Sequence, residues 1–174
     1  MNKLLIVVDM QRDFVDGALG SDQALAIVDN VVQKIACFQG DIIVTYDTHQ
    51  ANYMDTQEGK NLPVPHCIKG TAGWELDSRV QQALEGKVYK VIEKPAFGST
   101  VLPEYIKATY SSVPDMELIG LCTDICVVSN ALLLKANFLE AKITVDATCC
   151  AGVTVESHQA ALTTMKMCQV NVIE

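Results

Sequence analysis

Six short apolar runs, separated by segments with helical spacing, constrain most strongly how this chain of 174 residues folds. The runs lie at residues 4–8, 42–46, 87–92, 116–119, 142–145 and 170–173. Each is too short for a helix and is dominated by apolar and β-branched residues, most cleanly Leu4 to Val8, in the way a strand buried on both faces is. Between them, Ser21 or Asp22 is placed to cap a helix reaching residue 38, with Ala24, Ile27, Val28, Val31 and Ile35 on one face. Further helices are predicted at 75–84, 101–109 and 154–167, and at 123–139 with Thr123 or Asp124 as cap. Alternation of this kind implies an α/β fold, a doubly wound three-layer sandwich around a mainly parallel six-stranded sheet. The length predicts one domain, residues 1–174.

In such folds ligands bind beyond the carboxyl ends of the strands. Reactive side chains follow three of the strands here. Asp9 ends the first run, Glu93 and Lys94 end the third, and Cys126 lies in the turn Gly120-Leu121-Cys122-Thr123-Asp124-Ile125-Cys126 after the fourth. The ordinary role of each type is modest: a strand-end Asp caps turns, a lysine is solvated, a helical cysteine packs in a core. Their convergence on one edge of one sheet points instead to a nucleophilic thiol. Cys126 starts a helix, where unpaired N–H groups favour an anion, and a lysine is nearby. Both are expected to lower the thiol pKa. The same N–H groups suit an oxyanion, and an aspartate within reach suits proton transfer.

Composition narrows the setting. Thirteen basic against 21 acidic residues give a net charge of −8 with no basic cluster, which argues against nucleic acid. The N-terminal apolar run stops at Asp9, too early for a signal peptide, and no stretch approaches a membrane span. The expected compartment is the cytoplasm. Seven irregularly spaced cysteines fit reduced thiols better than a disulfide framework. Neither Cys122 with Cys126 nor the adjacent Cys149 and Cys150 has the spacing of a redox or zinc motif. His158 is expected to be a buried, hydrogen-bonded histidine. Asp13 and Asp16 are expected to form turns rather than bind a cation.

Three segments carry a family resemblance. Val-Asp-Met-Gln-Arg-Asp-Phe at 8–14, Glu-Lys-Pro-Ala-Phe at 93–97 and Gly-Leu-Cys-Thr-Asp-Ile-Cys-Val at 120–127 resemble, in order, the signature segments of the isochorismatase-like cysteine hydrolases. The resemblance implies a triad of Asp9, Lys94 and Cys126 and a strand order 3-2-1-4-5-6. It also implies a cis peptide at Leu121–Cys122 that turns the Cys122 N–H, with that of Cys126, toward an oxyanion. Phe14 and Phe97 match aromatic positions that line family pockets.

The irregular stretch 47–73 is too long for an ordinary connection, and such loops are usually functional or disordered. It holds two of the three histidines, His49 and His66, and Asp47-Thr48-His49 pairs two donors of suitable hardness. The stretch is similar to the metal loop of nicotinamidases, where one Asp and three His commonly bind the ion. No His lies between His49 and His66, so Glu58 is the closest match for the remaining ligand and Asp55 the alternative. The implied cofactor is one divalent ion, zinc, iron or manganese. The implied substrate is a small-molecule amide, nicotinamide, hydrolysed through a thioester. A homo-oligomer is compatible with the resemblance. Leu62-Pro63-Val64-Pro65 precedes His66 where nicotinamidases carry an aromatic residue, and Trp74 lies downstream instead. Competing readings are a hydrolase for another amide or an enol ether, a catalytically idle binding domain, and a thiol-redox protein.

Overall fold

The computed structural model describes residues 2–174. Six parallel strands form one sheet in the order β3-β2-β1-β4-β5-β6. They are β1 (Lys3–Val8), β2 (Asp41–Asp47), β3 (Tyr89–Lys94), β4 (Asp115–Leu121), β5 (Ile143–Ala151) and β6 (Asn171–Ile173). The helices are α1 (Arg12–Val15), α2 (Asp22–Cys37), α3 (Gln57–Asn61), α4 (Ser78–Ala83), α5 (Val101–Thr109), α6 (Val128–Asn137) and α7 (Val155–Met167).

The alternation of side chains along β1 shows why the sheet is covered twice. Leu5 and Val7 enter a core with Ile27, Val28 and Val31 of α2 and Val80 of α4. Leu4, Ile6 and Val8 enter the opposite core, with Ile106 of α5, Leu134 of α6 and Met165 of α7. A strand with a period of two and no polar position must have apolar cover on both faces. The α2 cap is Ser21, whose side chain accepts from the Ala24 N–H at 3.1 Å.

Several boundaries differ from the sequence reading. β3 starts later and runs on through Lys94, because Tyr46 and Asp47 of β2 pair with Glu93 and Lys94. The helix before it is only Ser78–Ala83, because Asp77 caps it and accepts from the Arg79 N–H at 2.9 Å. β5 extends to Ala151, with an irregularity opposite Leu118 to Gly120 that places Cys149 and Cys150 in the sheet. The helix predicted from 123 begins as a π-helical turn, Thr123–Val127, and neither Thr123 nor Asp124 caps it. Both side chains reach elsewhere: Thr123 Oγ1 lies 2.8 Å from His158 Nδ1, and Asp124 accepts from the Val153 N–H. The loop 47–73 is ordered around a 3-10 turn, Tyr53–Asp55, and α3.

Gly120 fixes how closely β4 approaches β1. Its φ is +116°, and a Cβ there would lie 2.1 Å from the Val8 carbonyl oxygen. Gly120→Ala is therefore expected to cost about 3 kcal/mol or more through combined backbone strain and overpacking. A urea unfolding series that shows less than about 1 kcal/mol of loss contradicts this account.

Candidate active site

β1, β2 and β3 end side by side, and the turn after β4 closes over them. Asp9 follows Val8 directly, with φ +48°, a left-handed conformation that turns its side chain out of the strand pattern. Thr45 on β2 holds it. The Asp9 N–H donates to the Thr45 carbonyl at 3.2 Å, and the Thr45 hydroxyl donates to Asp9 Oδ1 at 2.6 Å. Of the two charged residues ending β3, only Lys94 points inward, being 1 % exposed. Glu93, on the other face of the strand, pairs with Lys69 in solvent.

The Lys94 ammonium is the hub. Its Nζ lies 2.6 Å from Asp9 Oδ2, 3.4 Å from Cys126 Sγ and 3.3 Å from Asp47 Oδ1, and it donates to the Ala96 carbonyl at 3.1 Å. Asp9 Oδ2 meets this ammonium as an ion pair but has no hydrogen bond of good geometry, which leaves a lone pair for a proton. The structure thus brings the three predicted triad residues together.

The electrostatics correct one expectation. Burial, and then the Asp9 charge, push the Cys126 thiol well above its ordinary value, and Lys94 offsets only part of this. The helix-start setting does not prevail because Cys126 is 4 % exposed and faces carboxylates as well as the ammonium. Burial thus favours the neutral thiol over the thiolate. Burial also raises the Asp9 carboxyl, against the opposing charge of Lys94. Burial works against the Lys94 ammonium, but the Asp9 and Asp47 carboxylates outweigh it and keep Lys94 charged. A carboxylate of raised basicity next to a thiol is suited to taking its proton on demand.

The Leu121–Cys122 peptide is cis. The Cys122 N–H has no acceptor among the described residues and belongs to the same turn as Cys126. Burial pushes the Cys122 thiol up to about 12, and the described cysteines are free thiols, in keeping with packing rather than redox roles.

Next to the triad, Asp47, His49, Glu58 and His66 gather, one ligand atom from each lying within 4.8 Å of the others. His49 Nε2 is 3.1 Å from Asp47 Oδ2 and 3.5 Å from Glu58 Oε1; His66 Nε2 is 3.6 and 3.7 Å from the same atoms. His66 Nδ1 is 2.8 Å from the Val64 carbonyl, a bond that puts the proton on Nδ1 and leaves the Nε2 lone pair facing the cluster. Donors about 2.1 Å from one ion lie about 3.5 Å apart when tetrahedral, so small movements would close this set around a cation. Two imidazoles and two carboxylates suit zinc, iron or manganese. Burial would raise the Asp47 carboxyl, but hydrogen bonding to His49 and His66 and the Lys94 charge hold it below the usual carboxylate range. Asp55, the alternative to Glu58, is exposed and outside the group.

A cavity of about 500 Å³ joins the two clusters, with Cys126, Cys122, His66 and Glu58 in its wall. Phe14 and Phe97 both line it, Phe14 buried with its ring edge-on to His66 and Phe97 nearly half exposed. Trp74 does not line it. Its ring packs on Tyr46 and its indole N–H donates to Thr48 at 3.0 Å, so Leu19 and Leu62 supply apolar wall instead. A larger groove of about 620 Å³ opens near the amino ends of β1 and β4, where Lys34 already pairs with Glu117 and Asp146. It lacks the convergent reactive groups of the smaller cavity.

Sequence reasoning missed several supporting residues. Gln11 pins the end of β2 to β1: its side chain donates to the Asp47 carbonyl at 2.9 Å and accepts from the Asp47 N–H at 2.7 Å. Asp13 forms turns as expected and also accepts from the Cys67 N–H at 2.7 Å, fixing the chain just after His66. Thr45 was findable from strand pairing, since it lies beside Val8 in register. Nothing in the sequence spacing signals the Gln11 and Asp13 contacts.

A doubly wound sheet whose carboxyl edge presents a buried thiol, carboxylate and ammonium marks the molecule as a thiol-dependent hydrolase. The chain belongs to the isochorismatase domain family, whose model matches residues 3–174. It is 27% identical over 188 residues to a nicotinamidase/pyrazinamidase of Mycobacterium tuberculosis, covering 98% of each chain. It superimposes with a TM-score of 0.87 on the crystal structure of nicotinamidase/pyrazinamidase PncA from Bacillus subtilis, at 28% identity and 100% coverage of both chains. It also resembles the pyrazinamidase of Pyrococcus horikoshii in complex with zinc, with a TM-score of 0.83, 26% identity, and coverage of 100% of this chain and 99% of that one.

Proposed function

We propose that the protein is a metal-assisted cysteine amidohydrolase that converts nicotinamide to nicotinate and ammonia. The observation that carries this is the placement of Lys94, which touches Asp9, Cys126 and Asp47 at once and so links a thiol to a cluster of metal-ligand type. The named relatives and the His49–His66 pair favour an aromatic amide over an enol ether.

In this reading Asp9 takes the proton of the Cys126 thiol as Sγ attacks the carboxamide carbon. The resulting oxyanion meets the Cys122 and Cys126 N–H groups. Asp9 then gives the proton to the leaving ammonia, and a thioester remains on Cys126. Water attacks the thioester as Asp9 accepts its proton, Asp9 returns that proton to the departing Cys126 sulfur, and the acid leaves as nicotinate with its own proton passed to solvent. Lys94 stays charged throughout and balances the negative charge that moves between Asp9 and Sγ. Phe14 and Phe97 hold the ring. Asp47, His49, Glu58 and His66 would hold one divalent ion, which when bound supplies a Lewis acid to orient the pyridine nitrogen and polarise water. The same reading takes the enzyme as one cytoplasmic domain acting on a free small molecule. Among the described residues no helix is long and apolar enough to cross a membrane.

The test is ammonia release from nicotinamide by purified protein, before and after chelation and after return of zinc, iron or manganese. Stripping is expected to remove at least about 90% of the activity, since affinity and orientation depend on the ion. No ammonia with any of the three metals would sink the nicotinamide assignment while leaving the fold and family untouched.

A further inference from the structure

Asn130, in the first turn of α6, is fully buried. Asparagine is a poor residue for a helix interior, and a buried amide is costly unless its donors and acceptor are engaged. Here all are. Oδ1 accepts from the Ser99 N–H at 2.9 Å, and Nδ2 donates to the Phe97 carbonyl at 3.1 Å and to the Cys126 carbonyl at 2.8 Å. The network fixes the orientation of the amide, because the flipped form would set its NH2 against the Ser99 N–H and its oxygen against two carbonyls.

Two of these partners lie on the loop that follows β3, and the third is the nucleophile residue itself. That loop also supplies the Ala96 carbonyl held by Lys94, and its Phe97 side chain lines the cavity. It comes close to α6 at Gly98, where an added Cβ would lie 3.5 Å from Ser129 Cβ. Phe97 itself is nearly half exposed, so packing alone holds its ring weakly.

We propose that Asn130 is a positioning residue that fastens the Phe97 loop to the Cys126 helix and thereby sets the aromatic wall of the substrate pocket. It touches neither substrate nor metal cluster and acts through Phe97. Lys94 remains fixed by Asp9 and Asp47 when Asn130 is lost, so the effect falls on ring binding rather than on the thiol chemistry.

Two measurements test this, and only the second rests on the nicotinamide reading. In Asn130→Ala, backbone hydrogen exchange across residues 96–100 is expected to quicken at least tenfold while β1 and β4 stay protected, as for loss of a buried hydrogen bond worth about a factor of ten or more. In steady-state ammonia release, KM for nicotinamide should rise about tenfold with kcat changed less than about threefold. In a Phe97→Ala background the same substitution should raise KM by less than about twofold, the non-additivity expected of residues acting in series. Asn130→Ser, which is too short to span the gap, is measured beside it in case the alanine variant does not fold. Unchanged exchange at 96–100, equal effects on KM in both backgrounds, or a fall in kcat at constant KM overturns the proposal. A wild-type protein inactive on nicotinamide would sink the substrate reading, and the exchange measurement would then decide this one alone.

Discussion

Replacing Cys126 by alanine is expected to cut ammonia release by about 10⁴-fold or more while the protein stays folded. The loss is large because a nucleophile acts as a unit with its base, so removing it leaves only binding and oxyanion contacts. Stability should change by less than about 1 kcal/mol. The alanine gives up one contact from Lys94 to Sγ, at 3.4 Å, but the ammonium keeps Asp9, Asp47 and the Ala96 carbonyl. Cys126→Ser should be nearly as inactive, because a hydroxyl is a far weaker acid than a thiol already held neutral by burial. Single-turnover assays and a urea unfolding curve check both statements. An alanine variant within tenfold of wild type would remove the thiol from the mechanism.

Lys94→Met should be damaging in a different way, through stability as well as rate. Methionine matches the length of the side chain but leaves Asp9 and Asp47, 0% and 2% exposed, without their shared cation. Breaking a buried ion pair by removing one partner costs about 3–5 kcal/mol. The sign of the pH dependence follows from Asp9. Its folded pKa is already raised by burial, and loss of the lowering charge of Lys94 raises it further. Between the unfolded value, about 3.9, and the raised folded value, the folded variant binds more protons than the unfolded chain, so its stability falls as pH rises. The deficit relative to wild type should therefore be greatest near neutrality and shrink toward pH 5. Urea midpoints for both proteins at pH 5 and pH 7.5 measure this, and the difference cancels the titrations they share. A deficit that grows on acidification would refute the assignment of Lys94 as the charge that offsets Asp9.

Both results bear on how the thiol is activated. A thiol placed at a helix start beside a lysine reads from sequence as one with a lowered pKa. In the fold the same lysine is shared among two carboxylates and the sulfur, and burial penalises any extra charge. The geometry supports proton removal by Asp9 in step with attack, not a standing anion.

The sequence alone determined the architecture, because apolar strand runs and amphipathic helices impose their periods on any fold they enter. The run at 4–8 carries no polar position and that at 42–46 only Thr45, so a sheet covered on both faces was the arrangement they allowed. Asp9, Lys94 and Cys126 were legible for the same reason, since they lie just after β1, at the end of β3 and in the turn after β4, and parallel strands bring their carboxyl ends to one edge. The cluster around His49 was legible only in part. Glu58 was the closest match and Asp55 the alternative, and the folded loop places Glu58 in the group and leaves Asp55 in solvent. Tertiary structure alone decided the charge on Cys126, the removal of Trp74 from the pocket to Tyr46, and the roles of Gln11 and Asn130. These depend on desolvation and on hydrogen bonds between segments distant in sequence, which take effect only once the chain has closed around them.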